Sequence, residues 1–325
     1  MMMEQGQPSL RNLTLLVAGP ANAATGLWAK LLAPRLADAL QTGSTVAVSA
    51  TGGRDGVTGA NAFEALTTPD GTTALLVPGA AAIAWLAGDP RVHFDAGRWI
   101  PALAGLCSGV LVARSGADAS DGRLRTAAST GTGPELPALL GLSMLSIDPA
   151  PVFGLSEPHD AEAALQDGRV DAVFLTGHDV PQRLARLRRS GFAPVFSLGG
   201  SDEDIDVRDP AVPSAPTFAE CCRIRIGHAP SGPLFSAWRA MAAAARLDVA
   251  LVLPPLAPAS VVARWRSACQ TVVGDLGLVN AARSAQVQPV PAPECVQALA
   301  RIGADETAQL TLRRWIAARP DWRPA

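Results

Sequence analysis

Two loops of the sequence, at residues 18–26 and 129–134, carry small and hydroxyl-bearing side chains and lead into apolar helical patterns. A loop of this kind presents unpaired backbone N–H groups at the positive end of the helix dipole, which suits a carboxylate or a phosphate. In the second loop, Gly131 and Gly133 allow the backbone to approach a ligand closely. Its hydroxyl donors are those of Ser129, Thr130 and Thr132. Because such loops also favour Gly, Ser and Thr for turns and caps, either loop alone is explained as simply by local structure.

A third feature is the turn and apolar strand at residues 168–175, which is followed by Thr176 and His178. In open α/β sheets, ligands bind at the carboxyl ends of the strands. All three loops lie at such ends, so we expect them to meet at one binding site. Asp171 is more simply a residue that bonds its own loop than a catalytic base.

Signatures of common catalytic and cofactor sites are missing from the sequence. It contains no G-x-G-x-x-G after a strand, no Walker A sequence, no G-x-S-x-G elbow and no H-E-x-x-H. The four histidines are scattered along the chain, at His93, His159, His178 and His228. We therefore expect neither a metal nor a cofactor, and a binding protein is favoured over an enzyme.

The composition is that of a folded protein with a sizeable apolar core. Of the 325 residues, 48% are hydrophobic and 17% are charged, and 27 basic residues against 29 acidic ones leave a net charge of −2. A chain of this length corresponds to about two domains. The charge balance argues against a nucleic-acid binder, which would normally carry a strong basic excess.

The segment at residues 11–23 imitates a signal peptide, with an arginine, an apolar run and small residues. Its apolar part is about six residues long, shorter than the roughly 7 to 15 of a signal, so we interpret it as the first strand of the fold. No apolar run in the sequence reaches the roughly 18 to 20 residues of a spanning helix. The sequence therefore predicts either a mature exported protein or, if it is the full native chain, a cytoplasmic one.

The five cysteines form no C-x-x-C pair, and their odd number argues against a disulfide framework. The adjacent Cys221 and Cys222 could be redox-active or bind a soft metal. The simpler interpretation is that they are small buried apolar residues after a helix.

Strand and helix patterns alternate along the chain, which predicts the α/β class with parallel strands covered by helices. Strands are predicted over about 13–18, 46–48, 73–77, 105–114, 125–128, 152–153, 170–175, 193–198 and 249–253. Helices are predicted over about 27–40, 58–66, 80–86, 134–145, 160–166, 180–189, 233–246, 259–276, 293–302 and 306–318. The polar, proline-rich stretch at 199–216 is predicted to be a surface loop.

The order of these features resembles the substrate-binding proteins of tripartite tricarboxylate transporters, the Bug-type solute receptors. The resemblance extends from about residue 13 to residue 318 and rests on seven segments in the order that the family has them. The segments are 15–20 with 24–25, 53–60, 69–71 with 75–76, the loop of Ser129, Gly131 and Gly133, 168–174, 216–220 and 258–264.

This resemblance implies a type II periplasmic-binding-protein-like fold, in which two α/β lobes enclose a ligand cleft at a hinge. The lobes would be residues 13–104 with 250–325, and residues 105–249 with a helical insertion near 225–248. Chain crossings at 101–112 and 249–254 would form the hinge. Closure would then add ligand contacts from both lobes.

The function that the resemblance implies is an extracytoplasmic, periplasmic receptor for a small carboxylate. It would be a monomer that binds no nucleic acid. It would deliver its ligand to the membrane permease subunits of a tripartite transporter. The family holds the ligand carboxylate largely with main-chain amides. The ligand-binding residues expected here are Pro20, Asn22, Ala24, Thr25, Gly79, Ser129, Gly131, Thr132, Gly133 and Thr176.

The sequence departs from the family in the first loop, where Asn22 and Ala23 stand in place of paired glycines. Two other functions are compatible with the same elements. One is an α/β-class enzyme acting on a small acid, with a nucleophile or base chosen from His178, Asp171 and Ser129. The other is a cytoplasmic ligand sensor of the same fold, detached from transport.

Overall fold

The computed structural model describes residues 12–40, 45–114, 123–200 and 207–322. Within these ranges the chain forms eleven strands and twelve α-helices, and the strands belong to two separate sheets. The α/β class predicted from the alternation of elements is confirmed.

The first sheet contains β1 (Thr14–Ala18), β2 (Ala47–Thr51), β3 (Thr73–Val77), β4 (Ile100–Leu106), β10 (Leu247–Leu253) and β11 (Gln288–Pro291). Their order across the sheet is β11-β4-β10-β3-β1-β2. Strand β1 runs parallel to β2 and β3, whereas β10 is antiparallel to β3 and β4, and β11 is antiparallel to β4. The sheet is therefore mixed and not purely parallel, because β10 enters it from the second sheet and not through a helical crossover from a parallel neighbour.

The second sheet contains β5 (Val110–Arg114), β6 (Arg123–Ala127), β7 (Asp148–Val152), β8 (Ala172–Leu175) and β9 (Phe192–Ser197), in the order β7-β6-β8-β5-β9. The chain crosses from the first sheet to the second between Leu106 and Val110, inside the segment predicted as the first hinge. It returns between Ser197 and Leu247. Most of the second predicted hinge, at residues 249–254, belongs to β10, which is buried and paired with β3 and β4, so the second hinge stays a prediction.

The helices are α1 (Ala24–Ala39), α2 (Val57–Leu66), α3 (Gly79–Ala87), α4 (Leu136–Met144), α5 (Pro158–Gln166), α6 (Val180–Arg189), α7 (Phe218–Ile226), α8 (Pro233–Ala245), α9 (Ala259–Val273), α10 (Leu276–Ala285), α11 (Glu294–Ala300) and α12 (Glu306–Ala317). The sequence did not predict β4, α7, α10 or β11, and the strand predicted over 105–114 joined the end of β4 to β5. Helix α7 starts with a capping box: Thr217 Oγ1 accepts from Glu220 N at 3.1 Å, and Thr217 N donates to Glu220 Oε2 at 2.7 Å. None of the described helices is both long and apolar enough to cross a bilayer.

Helix α8 packs between the two halves of the molecule, against α3 on one side and α4 on the other, while α12 contacts α3 and α8. Its side chains Phe235, Trp238 and Met241 are buried. Trp238 stacks on Phe218 with ring centroids 4.2 Å apart, and its Nε1 donates to Pro137 O at 2.9 Å. One apolar cluster therefore runs from β3 through α8 to β5, and separating the halves would expose it to water.

Candidate functional site

Loops from the two halves of the molecule face each other and are joined by polar contacts. Arg54, in the loop after β2, forms an ion pair with Glu157, which immediately precedes α5. Thr132, in the loop after β6, donates from Oγ1 to Asp89 Oδ2 at 2.9 Å, and Asp89 follows α3. These contacts bring the loop after β2 and the end of α3 in the first half against the loops after β6 and β7 in the second half.

The loop between β1 and α1 contains four of the predicted ligand-binding residues, Pro20, Asn22, Ala24 and Thr25. Asn22 is exposed, Pro20 and Ala24 are half-buried, and Thr25 is buried. Helix α1 begins after Ala23, which has an extended backbone and makes no side-chain capping bond within the described part of the chain. The amides in the first turn of α1 therefore keep their capacity to bind an anion.

The loop between β6 and α4 is bonded to a carboxylate of the protein itself. Glu135 Oε2 accepts from Ser129 N at 3.1 Å and from Ser129 Oγ at 2.8 Å. A Cβ atom at Gly133 would lie 2.2 Å from Ser129 Oγ, so the glycine leaves the room that this arrangement needs. Burial raises the pKa of Glu135, and the hydrogen bonds from Ser129 act in the opposite direction. The donors that the sequence assigned to a ligand are thus held by a neighbouring side chain.

Gly131 packs against the C-terminal end of the described chain. A Cβ atom at Gly131 would lie 1.9 Å from Trp322 O. The Trp322 ring meets Trp315 of α12 edge-on, with centroids 5.3 Å apart. Trp315 Nε1 in turn donates to Ser143 Oγ of α4 at 3.2 Å. The absence of a side chain at Gly131 therefore serves close packing within the protein.

Gly79 and Thr176 both contact the C-terminal end of α8. A Cβ atom at Gly79 would lie 1.9 Å from Ala244 O, so a larger residue does not fit there. Thr176 Oγ1 donates to Ala245 O at 2.9 Å and lies 3.6 Å from Cys107 Sγ. Gly79 of the first half and Thr176 of the second half therefore meet at the last carbonyl groups of α8.

His178 and Asp248 form a polar link between the second sheet and the first. His178 Nε2 lies 2.9 Å from Asp248 Oδ2, and Trp28 Nε1 donates to the same oxygen at 2.6 Å. Asp248 lies on β10 and is 8% exposed. The hydrogen bond with Asp248 raises the pKa of His178, although desolvation acts against it. His178, a candidate base in the enzyme alternative, is thus bound to a structural carboxylate.

Three residues that shape this region were missed from the sequence: Glu135, Asp248 and Trp322. Glu135 follows a glycine and a proline just before a helix, where a carboxylate is favoured, so its role had a local signal. Asp248 stands inside an apolar strand, and a charge in such a strand needs a partner. For Trp322 the local sequence offers no signal, because its contact with Gly131 depends on where the chain end folds back.

The described ranges of the chain give no support for a metal site or for a reactive thiol. No group of three or more His, Cys, Asp or Glu in these ranges is placed to hold a metal ion. Cys221 and Cys222 lie inside α7, not after a helix, and burial raises the pKa of each thiol to about 11. Such thiols stay protonated near neutral pH and are poor nucleophiles.

No protein-family model and no curated protein matches this sequence. Solved structures do match it. A TctC solute-binding protein from Polaromonas has a TM-score of 0.66 at 15% identity, over 96% of this chain and 99% of the other. MatC from Rhodopseudomonas palustris with bound malate has a TM-score of 0.60 at 18% identity, over 94% and 99%. The periplasmic binding protein BugD has a TM-score of 0.55 at 16% identity, over 96% and 97%. The chain has the fold of TctC and Bug-type solute-binding proteins, as the sequence motifs predicted.

Proposed function

We propose that this chain, which has the fold of TctC and Bug-type solute-binding proteins, is a divergent member of that family and a receptor for a small organic acid. The observation that carries the proposal is the meeting of loops from the two halves, where Arg54 pairs with Glu157 and Thr132 bonds Asp89, and we place the ligand crevice there. In open α/β folds, small ligands occupy such crevices at strand ends. MatC, which has this fold, was solved with malate.

The anion contact is assigned to the loop between β1 and α1. Asn22 is exposed there, and the first amides of α1 receive no side-chain cap from the described residues. A helix N-terminus contributes about 0.3 to 1 kcal/mol to holding an anion at an exposed site, and up to about 2 kcal/mol when partly buried. Of the ten predicted residues, Pro20, Asn22, Ala24 and Thr25 supply this loop. We propose that the other six shape the crevice through the contacts that they make within the protein: Gly79, Ser129, Gly131, Thr132, Gly133 and Thr176.

The proposed lobes are residues 13–104 with 250–325, and residues 105–249, with α8 inside the insertion near 225–248. Because α8 and α12 bury apolar surface against both halves, hinge closure in this chain has a small amplitude. The receptor works as a monomer in the periplasm and passes its solute to the permease subunits of a tripartite transporter.

A thermal-shift series on the full chain tests the receptor assignment. Malate, succinate, adipate and benzoate are titrated, and at least one of them should raise the melting temperature saturably. A ligand at 100 times its Kd adds about 2.7 kcal/mol to stability. Asn22→Asp places a negative charge at the start of α1 and should weaken that response by about tenfold or more, since it repels a carboxylate at short range.

The matched control is Asn280→Asp, which makes the same change at an exposed position on α10. It should leave the response unchanged. Asn22→Asp should also fold normally, because a negative charge is favourable at a helix N-terminus. A flat response to all four acids would reject the receptor assignment, and an equal response in both variants would remove the β1–α1 loop from the site.

A further inference from the structure

A cavity of about 480 Å³ lies between α8, β11, α11 and the loop that follows β9. Small-molecule sites in proteins occupy roughly 300 to 1,000 Å³, so the cavity is large enough for one. The described residues that line it include none of the ten residues of the proposed crevice site. It is therefore a separate place in the fold.

The lining residues follow the periodicity of the elements that carry them. On α8, Ser236, Arg239 and Ala243 are three and four positions apart and share one helical face. On β11, Gln288 and Val290 are two positions apart and share one strand face. Each element thus turns a consistent face to the cavity, which argues for a built concavity and not a gap between loops.

Among the described residues that line the cavity, three are arginines and two are acidic. Its charged lining residues are Arg239, Arg246, Arg301, Glu294 and Asp305. Asp305 is already engaged, because its Oδ1 accepts from Ala308 N at 2.7 Å and caps α12. Arg246 lies 3.6 Å from Asp209, which neutralises part of its charge. Arg239 is exposed and forms no hydrogen bond or ion pair with any residue that the structure describes, so no described residue competes with an anion for its guanidinium.

The apolar part of the lining comes from both halves of the molecule. Leu106 and Val290 belong to the first sheet, whereas Leu198 follows β9 of the second sheet. Trp238 of α8 also contributes to the wall. A ligand that carries only charge would leave this surface uncovered, while a ligand with an apolar body would remove it from water, which is favourable.

We propose that this cavity is a second binding site, for an organic anion whose carboxylate or phosphate pairs with Arg239 and whose apolar body lies against Leu198 and Val290. The planar guanidinium presents a fork of donors that matches either anionic group. Ser236 and Gln288, at the same wall, supply further hydrogen-bonding groups. The inference does not depend on the proposed crevice site, since the two share none of those ten residues.

Isothermal titration of the full chain tests the second site with four probes: phenylacetate, phenyl phosphate, 2-phenylethanol and inorganic phosphate. Phenylacetate or phenyl phosphate should bind saturably, and whichever binds identifies the anionic group that the cavity prefers. The neutral alcohol and inorganic phosphate should each bind about tenfold more weakly or less. Arg239→Gln should lower the affinity for the bound anion by about tenfold or more, because it removes the charge from an exposed position without disturbing the core.

Arg189→Gln is the matched control, because Arg189 is an exposed arginine on α6 that lies outside the cavity. Ala243→Leu adds side-chain volume at the cavity wall without changing its charge, so it should weaken binding by occupying space that the ligand needs. Binding that survives Arg239→Gln would overturn the proposal, and so would inorganic phosphate that binds as tightly as phenyl phosphate. If Asn22→Asp abolished binding and Arg239→Gln left it unchanged, the anion would bind in the crevice and not in this cavity. That result would also overturn the proposal.

Discussion

Ser129 and Glu135 are bonded to each other across the loop between β6 and α4, with Glu135 Oε2 accepting from both the backbone N–H and the hydroxyl of Ser129 at 3.1 and 2.8 Å. The sequence suggests that this loop binds the carboxylate of a ligand. In the folded chain it binds the carboxylate of its own neighbour. The proposed solute is therefore left with the loop between β1 and α1 as its anion contact.

Replacing Glu135 should change how stability depends on pH. Since burial raises its pKa, the folded state binds the proton more tightly than the unfolded state, whose glutamate pKa is near 4.5. The contribution of this group is fully present below the unfolded pKa and is lost as pH rises through the folded pKa. Glu135→Gln keeps an oxygen acceptor for Ser129 but does not ionise, so urea unfolding should show it gaining stability over the native chain as pH rises above 4.5.

The control for this variant is Glu306→Gln, which changes an exposed glutamate in the first turn of α12. It should not produce the same pH-dependent gain. A difference between Glu135→Gln and the native chain that stays constant from pH 4 to 8 would show that Glu135 does not titrate differently in the folded state.

Gly131→Ala should destabilise the chain and loosen its C-terminal end. The added Cβ would meet Trp322 O at 1.9 Å, so one of the two segments must move, at a cost of about 1 to 3 kcal/mol. Urea unfolding gives the loss, and tryptophan fluorescence reports the displaced Trp322. Gly274→Ala, whose Cβ would have an ordinary 3.5 Å contact with Thr271 O, should change stability by no more than about 0.5 kcal/mol. Similar losses in both variants would contradict the packing seen at Gly131.

Thr132→Val should cost about 1.5 to 3 kcal/mol, because it removes a hydroxyl that donates to the buried carboxylate of Asp89 while it keeps the side-chain shape. Thr271→Val removes a hydroxyl that donates to Ser267 O on the exposed side of α9, and it should be nearly neutral. Chemical denaturation of the two variants in parallel measures the difference. If Thr132→Val proves neutral in stability but weakens solute binding, Thr132 is a ligand donor and not a link between the halves.

His178→Gln should flatten the stability profile at and above neutral pH. The bond to Asp248 raises the pKa of His178 above its unfolded value near 6.5. The stabilisation from the charged pair is therefore present below about pH 6.5 and is lost as pH rises through the folded pKa. Melting temperatures from pH 5.5 to 9 should fall more steeply for the native chain than for His178→Gln. The control is His159→Gln, at a histidine whose side chain is 94% exposed, and it should follow the native profile. If His178→Gln also followed the native profile, the proposed stabilisation by the His178–Asp248 pair would be refuted.

Much of the architecture could be read from local patterns, because hydrophobic periodicity and turn residues act over a few positions. The run that became β3 and the helical face that became α8 were both predicted close to their observed bounds. Helix α7 was missed although its capping box, Thr217 and Glu220, was visible in the sequence. Strand β11 was missed because it is a four-residue edge strand with two prolines, and such strands are defined by their partner and not by their own composition.

The sequence by itself determined the α/β class, the loops at the strand ends and the resemblance to Bug-type receptors. These follow from short-range spacing, which the backbone fixes through its own periodicities. Only the tertiary structure decided how residues in those loops are used, because Trp322, Ala244 and Asp89 contact Gly131, Gly79 and Thr132 from distant parts of the chain. It also placed Arg239 in a cavity built from both halves, since a concave surface exists only when separate elements pack together.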